Sequence, residues 1–476
     1  MTDLIQSCEA DLRAGRISQA AAQLRNLKPA EIQREFRLPI ANLCRRAQMD
    51  YLALRILSPV VRPETLSAAP TPEEQAEYAA SLLKIGAVHE AIAILDSVKE
   101  LPAARLFKAY CHIKQWEYDE AIPLLEIYIA KAPNAYMKLV GQVNLAASYA
   151  ATLQIEKAHV LLTEVLQLTQ LEGHKRLLAN AHEIRAQLYI YQGLYEQAQK
   201  DLELAAKDLQ DSGDGLLIRK WSSILIALRD GNSEALSLFR EEAQKNRDWE
   251  SLRDVDFFQL TLQPDDRLLS RLIYGTPFAF YRSRVSSHLG RQPVSSHYIF
   301  GAEQSPRFVL ATGEVEGKTV SAPGNTVHQL LAVLLSDLYR PWSVGSIFAE
   351  LFPNEYFDVF SSPNRVHQLL WRLRRWFDAN EIPVALSEYD GQYRLEIKGD
   401  FAFVIPSHRV TLDEQEICLR KIQSLFGNHS TFSSREVQEK LGISSSSFKR
   451  LASWALENKK IERMGASRAT VYRIVA

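Results

Sequence analysis

From Thr2 to about Leu289, apolar residues return at steps of three and four, broken by short turns that carry glycine or polar residues. That periodicity predicts helix after helix. One pattern marks the turns: a glycine or polar residue, an aliphatic or aromatic one, then a Glu-Ala or similar pair. It reads Gly15-Arg16-Ile17-Ser18-Gln19-Ala20, Gly86-Ala87-Val88-His89-Glu90-Ala91, Trp116-Glu117-Tyr118-Asp119-Glu120-Ala121, Leu153-Gln154-Ile155-Glu156-Lys157-Ala158, Gly193-Leu194-Tyr195-Glu196-Gln197-Ala198 and Gly231-Asn232-Ser233-Glu234-Ala235, with a weaker copy at Asp50-Tyr51-Leu52-Ala53. The alanines at 91, 121, 158, 198 and 235 lie 30, 37, 40 and 37 residues apart. A small alanine lets the second helix of each pair approach the first. The residue three positions earlier fills the gap, except in the last copy, where it is Asn232.

A period near ~34 residues is that of helix-turn-helix repeats, none of which buries its apolar face alone. The region resembles a tetratricopeptide (TPR) array of about five to seven imperfect repeats. The resemblance implies a protein or peptide ligand on the concave face. Lys108, Tyr110, Asn144, Tyr149, Arg185 and Tyr189, on the first helices of successive pairs, are the candidates to line it; their alternative role is packing. Asp248 to Leu289 stays helical but off-period, with breaks at Pro264 and Pro277, as a C-terminal cap. Gly290 to Pro306 has the Pro, Gly and Ser content of a linker.

The pattern then changes. Ser361 to Ile397 reads as a basic amphipathic helix, a short connection and a hairpin: Val366, Leu369, Leu370, Leu373 and Phe377 form one apolar stripe, while Arg365, Gln368, Arg372 and Arg375 share another face. Beyond Pro383, two extended runs joined by Asp390-Gly391 predict a hairpin. An Arg- and Gln-bearing helix backed by a core is suited to the DNA major groove, where Arg pairs with guanine and Gln with adenine. Arg365, His367, Gln368, Arg372, Arg374, Arg375 and, on the hairpin, Arg394 are therefore candidate DNA contacts. A solvated face is the alternative for each.

These residues carry a second resemblance. Arg365-Val366-His367, Arg372-Leu373-Arg374-Arg375 and Gly391-Gln392-Tyr393-Arg394-Leu395 are similar to the recognition helix and wing of the OmpR/PhoB-type winged helix. The likeness spans about Phe308 to Ile397; it implies strands over Phe308–Ser321, a first helix over Thr326–Arg340 and a second over Val344–Leu351. Gly324-Asn325-Thr326-Val327 departs from that family at the first helix, and Asp390-Gly391-Gln392 departs at the wing.

A further unit follows. Thr411–Leu425, a helix opened by Ser433 and Glu436 as a capping box, the turn Gly442-Ile443-Ser444, the helix Ser445–Asn458 and a hairpin turning at Gly465 give the winged helix-turn-helix order. From Thr431 to Ala476, nine Lys and Arg oppose four Glu, in a chain whose net charge is −1. Ser446, Lys449 and Arg450 on the third helix and Arg468 at the hairpin tip are candidate phosphate and base contacts. The first winged helix carries many carboxylates outside its Arg-rich helix, which suits either a weaker DNA binder or a protein-docking module.

Composition narrows the picture. At 46% hydrophobic and 24% charged, the chain reads as globular, without an apolar run long enough for a membrane. Its acidic, amphipathic start is unlike a secretory signal. Cys8, Cys44, Cys111 and Cys418 lie far apart, as in a reduced cytosolic protein. Phosphate loops, GxGxxG and HExxH are missing, and Ser446-Ser447-Phe448-Lys449 matches S-x-x-K by letters only. Neither a metal nor a cofactor is implied, and the chain is read as non-enzymatic.

The expected architecture is mainly α: a TPR-like solenoid over 1–289, a linker over 290–306, an OmpR/PhoB-like winged helix over 307–400 and a second over 411–476. The expected function is a cytoplasmic DNA-binding transcriptional regulator, with DNA and a protein or peptide as partners and a homodimer left open. The alternative is an interaction scaffold that uses the same domains as docking surfaces.

Overall fold

The computed structural model describes residues 1–476 except 63–68, 210–214, 322–324, 408–413, 428–430, 466–469 and 476. The chain forms two compact units. One comprises 1–295 together with 337–371 and 386–395; the other comprises 296–336, 372–385 and 396–476.

The first unit is built on an α-solenoid. Among the described residues, seven antiparallel helix pairs run from Thr2–Arg13 with Ile17–Leu24 to Gly215–Asp230 with Glu234–Lys245. Each pair turns through one left-handed residue: Gly15, Gln48, Gly86, Trp116, Leu153, Gly193 and Gly231. Five residues after each comes the position where the second helix meets the first. There Ala20, Ala53, Ala91, Ala121, Ala158 and Ala198 are wholly buried. In the seventh pair that position is Leu236, wholly buried, and Ala235 is only partly so. The expected register of the last copy is thus one residue early. The pattern kept its Glu-Ala letters there, but the turn at Gly231 sets the helix phase.

The cap consists of Ser251–Leu262, Asp266–Tyr274 and Ala279–Leu289, separated at Pro264 and Pro277 as expected. Leu252, Val255, Phe258, Leu269, Leu272, Tyr281 and Val285 form one core with the last solenoid helices, and Tyr339 is buried in the same core. Tyr339 lies beyond the predicted first helix of the next domain. That helix, expected over Thr326–Arg340, ends at Ser336. The reason is local: the Asp337 carboxylate accepts the Tyr339 and Arg340 backbone N–H groups at 2.9 and 3.0 Å. This turn replaces helical bonding.

The second unit contains a five-stranded sheet in the order His297–Gly301, Ala402–Pro406, Arg307–Val309, Glu314–Val315, Lys318–Thr319. The expected linker 290–306 therefore contributes an edge strand, paired antiparallel from His297 opposite Pro406 to Gly301 opposite Ala402. Phe308, Phe403 and Trp376 pack together on this sheet.

The same unit holds the C-terminal module. Glu414–Phe426, Ser434–Leu441 and Ser445–Glu457 enclose a core of Leu419, Ile422, Phe432, Val437, Phe448, Leu451 and Ile461. Ile461–Met464, Val471–Ile474 and Thr431–Ser433 form its antiparallel sheet. Ser433 and Glu436 make the expected capping box. Leu425 is exposed, while Phe426 packs against this core. Among the described residues, no helix is long and apolar enough to cross a membrane.

Candidate nucleic-acid interface

The Arg-rich helix runs Ser362–Ala379. Asp358 prepares its start: its carboxylate accepts the Phe360 and Ser361 N–H groups at 2.7 and 2.8 Å. Val366, Leu369, Leu370, Leu373 and Phe377 are all buried, so the predicted apolar stripe is the core face. His367, Gln368, Arg372, Arg374 and Arg375 are exposed on the opposite side. Arg365 is placed differently. Its guanidinium pairs with Glu355 at 2.5 Å and lies 4.1 Å from the Phe352 ring centroid. That pairing holds the Glu355 carboxyl below its usual range.

The hairpin strands are Val384–Tyr389 and Gln392–Ile397, and Trp342–Ser343 pairs antiparallel with Gln392–Tyr393. Arg394 does not extend into solvent. Its guanidinium lies 3.6 Å from the Trp249 ring centroid, in the solenoid loop before Ser251–Leu262. From the same loop, Arg247 lies 3.7 Å from the Tyr389 centroid. In the C-terminal module, Ser446, Lys449 and Arg450 are exposed on Ser445–Glu457, whose N-cap Ser444 accepts the Ser447 N–H at 3.1 Å. Arg468 lies outside the described residues.

The solenoid candidates all have partners inside the solenoid. Lys108 pairs with Asp96 at 2.5 Å. Asn144 donates to the Tyr110 hydroxyl at 3.3 Å and to the Val140 carbonyl at 2.8 Å. The Tyr149 hydroxyl donates to Glu126 at 2.8 Å. Arg185 makes two 2.7 Å bonds to Asp201, which also meets His182 at 2.8 Å. Tyr189 rests against His159. All but the Asn144–Val140 bond join one helix to another. A cavity of about 470 Å³ is lined by the first helices of the first four pairs, with Ile5, Leu38, Leu43, Ala76 and Phe107 as its apolar wall and Asn42, Glu9, Glu73 and Glu77 as polar groups. None of the six predicted residues lines it.

Sequence reasoning also missed how residues 337–360 lie along the solenoid. Arg253 donates twice to Asp337, at 2.8 and 3.0 Å, with both residues almost fully buried. Burial opposes the Arg253 charge, but Asp337 and Glu250 outweigh it and raise its pKa. The Tyr339 hydroxyl donates to Asp256 at 2.5 Å. Arg340 bonds Glu250 at 2.5 Å and the Lys114 carbonyl at 2.9 Å. Lys114 is pushed down to about 8 by burial and then by Arg340 and Lys84.

Further along, the Val344–Leu351 helix meets the end of Pro72–Ile85. The Ser343 hydroxyl donates to the Ile85 carbonyl. Approach is so close that a Cβ on Gly345 would sit 2.4 Å from the Ile85 oxygen. Glu90 then accepts the Phe357 N–H at 2.7 Å and pairs with Arg62. Periodicity is silent about partners more than 80 positions away.

No family model and no curated protein sequence matches the chain. Solved structures similar to it include the apo form of RapI, 12% identical, covering 80% of this chain and 99% of that one at a TM-score of 0.38. Another is the Rap conjugation gene regulator of the plasmid pLS20 in complex with the Phr* peptide, 11% identical, covering 79% and 96% at 0.38. A third is a Podosopora anserina putative kinesin light chain with TPR-like repeats, 20% identical, covering 44% and 95% at 0.28.

Proposed function

We propose that this chain is a DNA-binding transcriptional regulator, non-enzymatic and cytoplasmic. In this reading 307–400 is an OmpR/PhoB-type winged helix, 411–476 is a second winged helix, and the solenoid over 1–289 takes a protein or peptide. One observation carries it. Each module turns the apolar side of one helix into a core and leaves a basic, hydrogen-bonding side exposed: His367, Gln368, Arg372, Arg374 and Arg375 in one, Ser446, Lys449 and Arg450 in the other. Lys and Arg anchor phosphates while Arg and Gln read bases. For the solenoid's partner, the 470 Å³ cavity offers an apolar wall for a side chain, rimmed by Asn42, Glu9, Glu73 and Glu77.

A second reading is the interaction scaffold. Arg365 and Arg394 favour it, because each is already engaged within the chain.

The deciding experiment is selection from a genomic DNA pool by the full chain across a salt series, beside the Arg372→Ala/Lys449→Ala/Arg450→Ala variant. The full chain is required because 337–371 and 386–395 pack with the solenoid. Enrichment of one sequence, lost in the variant, supports the regulator. Retention without enrichment reduces the reading to non-specific binding, and no retention at low salt overturns it in favour of the scaffold.

A further inference from the structure

We infer that the solenoid loop before Ser251–Leu262 is a releasable latch on the hairpin, and that it withholds Arg394 from nucleic-acid phosphate. The inference rests on the DNA-binding reading. Two contacts form the latch, and the cation of each comes from a different side. Arg394 of the hairpin covers Trp249 of the loop, at 3.6 Å, and Arg247 of the loop covers Tyr389 of the hairpin, at 3.7 Å. Trp249 also packs against the solenoid core, so its position is set from behind. Arg247 holds a left-handed conformation, φ 58°, at the end of Glu234–Lys245, and this turns it toward Tyr389.

The two ends of this domain are held with different strength. At the root, Asp337 and Arg253 form a buried, bidentate pair, and separating them strands a charge in the core. At the tip, Arg247 and Tyr389 are exposed and Trp249 and Arg394 half-buried, and neither cation faces a carboxylate in these two contacts, so each costs less to part than a buried ion pair. The root therefore stays docked while the tip lifts. Against Trp249 the Arg394 guanidinium has its Nη1 buried, so a backbone phosphate reaches that edge only when the loop moves aside, and latch and DNA compete for Arg394. A partner that draws the loop aside would arm the hairpin without detaching the domain.

The test uses the full chain and a mixed-sequence DNA duplex across a salt series, with amide hydrogen exchange over 386–395. Trp249→Ala removes the ring under Arg394. Arg247→Gly removes the other cation at a backbone conformation glycine accepts, and leaves the Trp249 core contact intact if Trp249→Ala misfolds. Either variant should bind roughly tenfold tighter, with a salt slope steeper by about 0.9 and faster exchange in the hairpin. Adding Arg394→Ala should abolish the gain. Binding by the wild-type chain that neither variant changes overturns the latch and leaves the DNA reading standing. No binding by any form overturns the DNA reading and the latch with it.

Discussion

Arg253 and Asp337 stand 84 positions apart, yet share two hydrogen bonds in a site where their side chains are 1% and 3% exposed. This pair joins the solenoid cap to the segment that follows the helix Thr326–Ser336. Breaking it one-sidedly leaves an uncompensated buried charge, at a cost of about 3–5 kcal/mol. Asp337→Ala should therefore lower the denaturant midpoint sharply. The double change Arg253→Met/Asp337→Leu should recover the part of the loss due to the stranded charge but not the part due to the Tyr339 and Arg340 N–H groups that Asp337 accepts. Equal loss in the single and double variants would refute this account.

Gly345 is a packing residue. Alanine there drives a methyl into the Ile85 carbonyl, and overpacking of this kind costs about 1–3 kcal/mol. Gly15→Ala is the comparison, since open space surrounds that glycine and only its left-handed backbone objects. Thermal unfolding should show the larger loss for Gly345→Ala.

Glu183 is buried among Lys220, Gln187, Trp221 and Asp254, and burial raises its pKa to about 7 from near 4.5. A carboxyl raised on folding holds its proton in the folded state while the unfolded chain has released it. Stability from this group is complete below pH 4.5 and declines as pH rises through 7. Glu183→Gln, which stays neutral, should be more stable than wild type at pH 8, by up to about 3 kcal/mol, and equal to it at acid pH. Urea midpoints across pH measure this; a constant difference would assign the effect to packing.

Lys449→Ala and Arg450→Ala remove exposed cations from the Ser445–Glu457 helix. If each holds one phosphate, each should lower the log–log salt slope of DNA binding by about 0.9. Arg372→Ala should instead cost about 1–3 kcal/mol on a preferred sequence and relax selectivity there. Fluorescence anisotropy at several salt concentrations separates the two behaviours.

Much of this was legible in the chain itself. Period and turn chemistry are local properties, so the helix pairs, the cap breaks at Pro264 and Pro277, the Ser433/Glu436 capping box and the stripe from Val366 to Phe377 were all readable from spacing. The register of the seventh pair was misread because Ala235 looks like its predecessors, whereas the turn five residues before Leu236 sets the phase. The six solenoid candidates follow from residue type and from their place on the first helices of the pairs, which leaves the direction of each side chain open. Spacing does not tell a tyrosine that faces a groove from one that bonds the next helix, as Tyr149 does to Glu126.

What the amino-acid order determined by itself was the set of elements, since each depends on neighbours within a turn or two. What only the tertiary structure decided was which elements share a core. The span 337–371 and the hairpin residues 386–395 join the solenoid's unit instead of remaining with the sheet that precedes them. That outcome rests on contacts between distant positions: a carboxylate for Arg253, a missing Cβ at Gly345, a ring for Arg394. Each gains its energy only when a particular distant residue arrives, and nothing in the local pattern encodes that arrival.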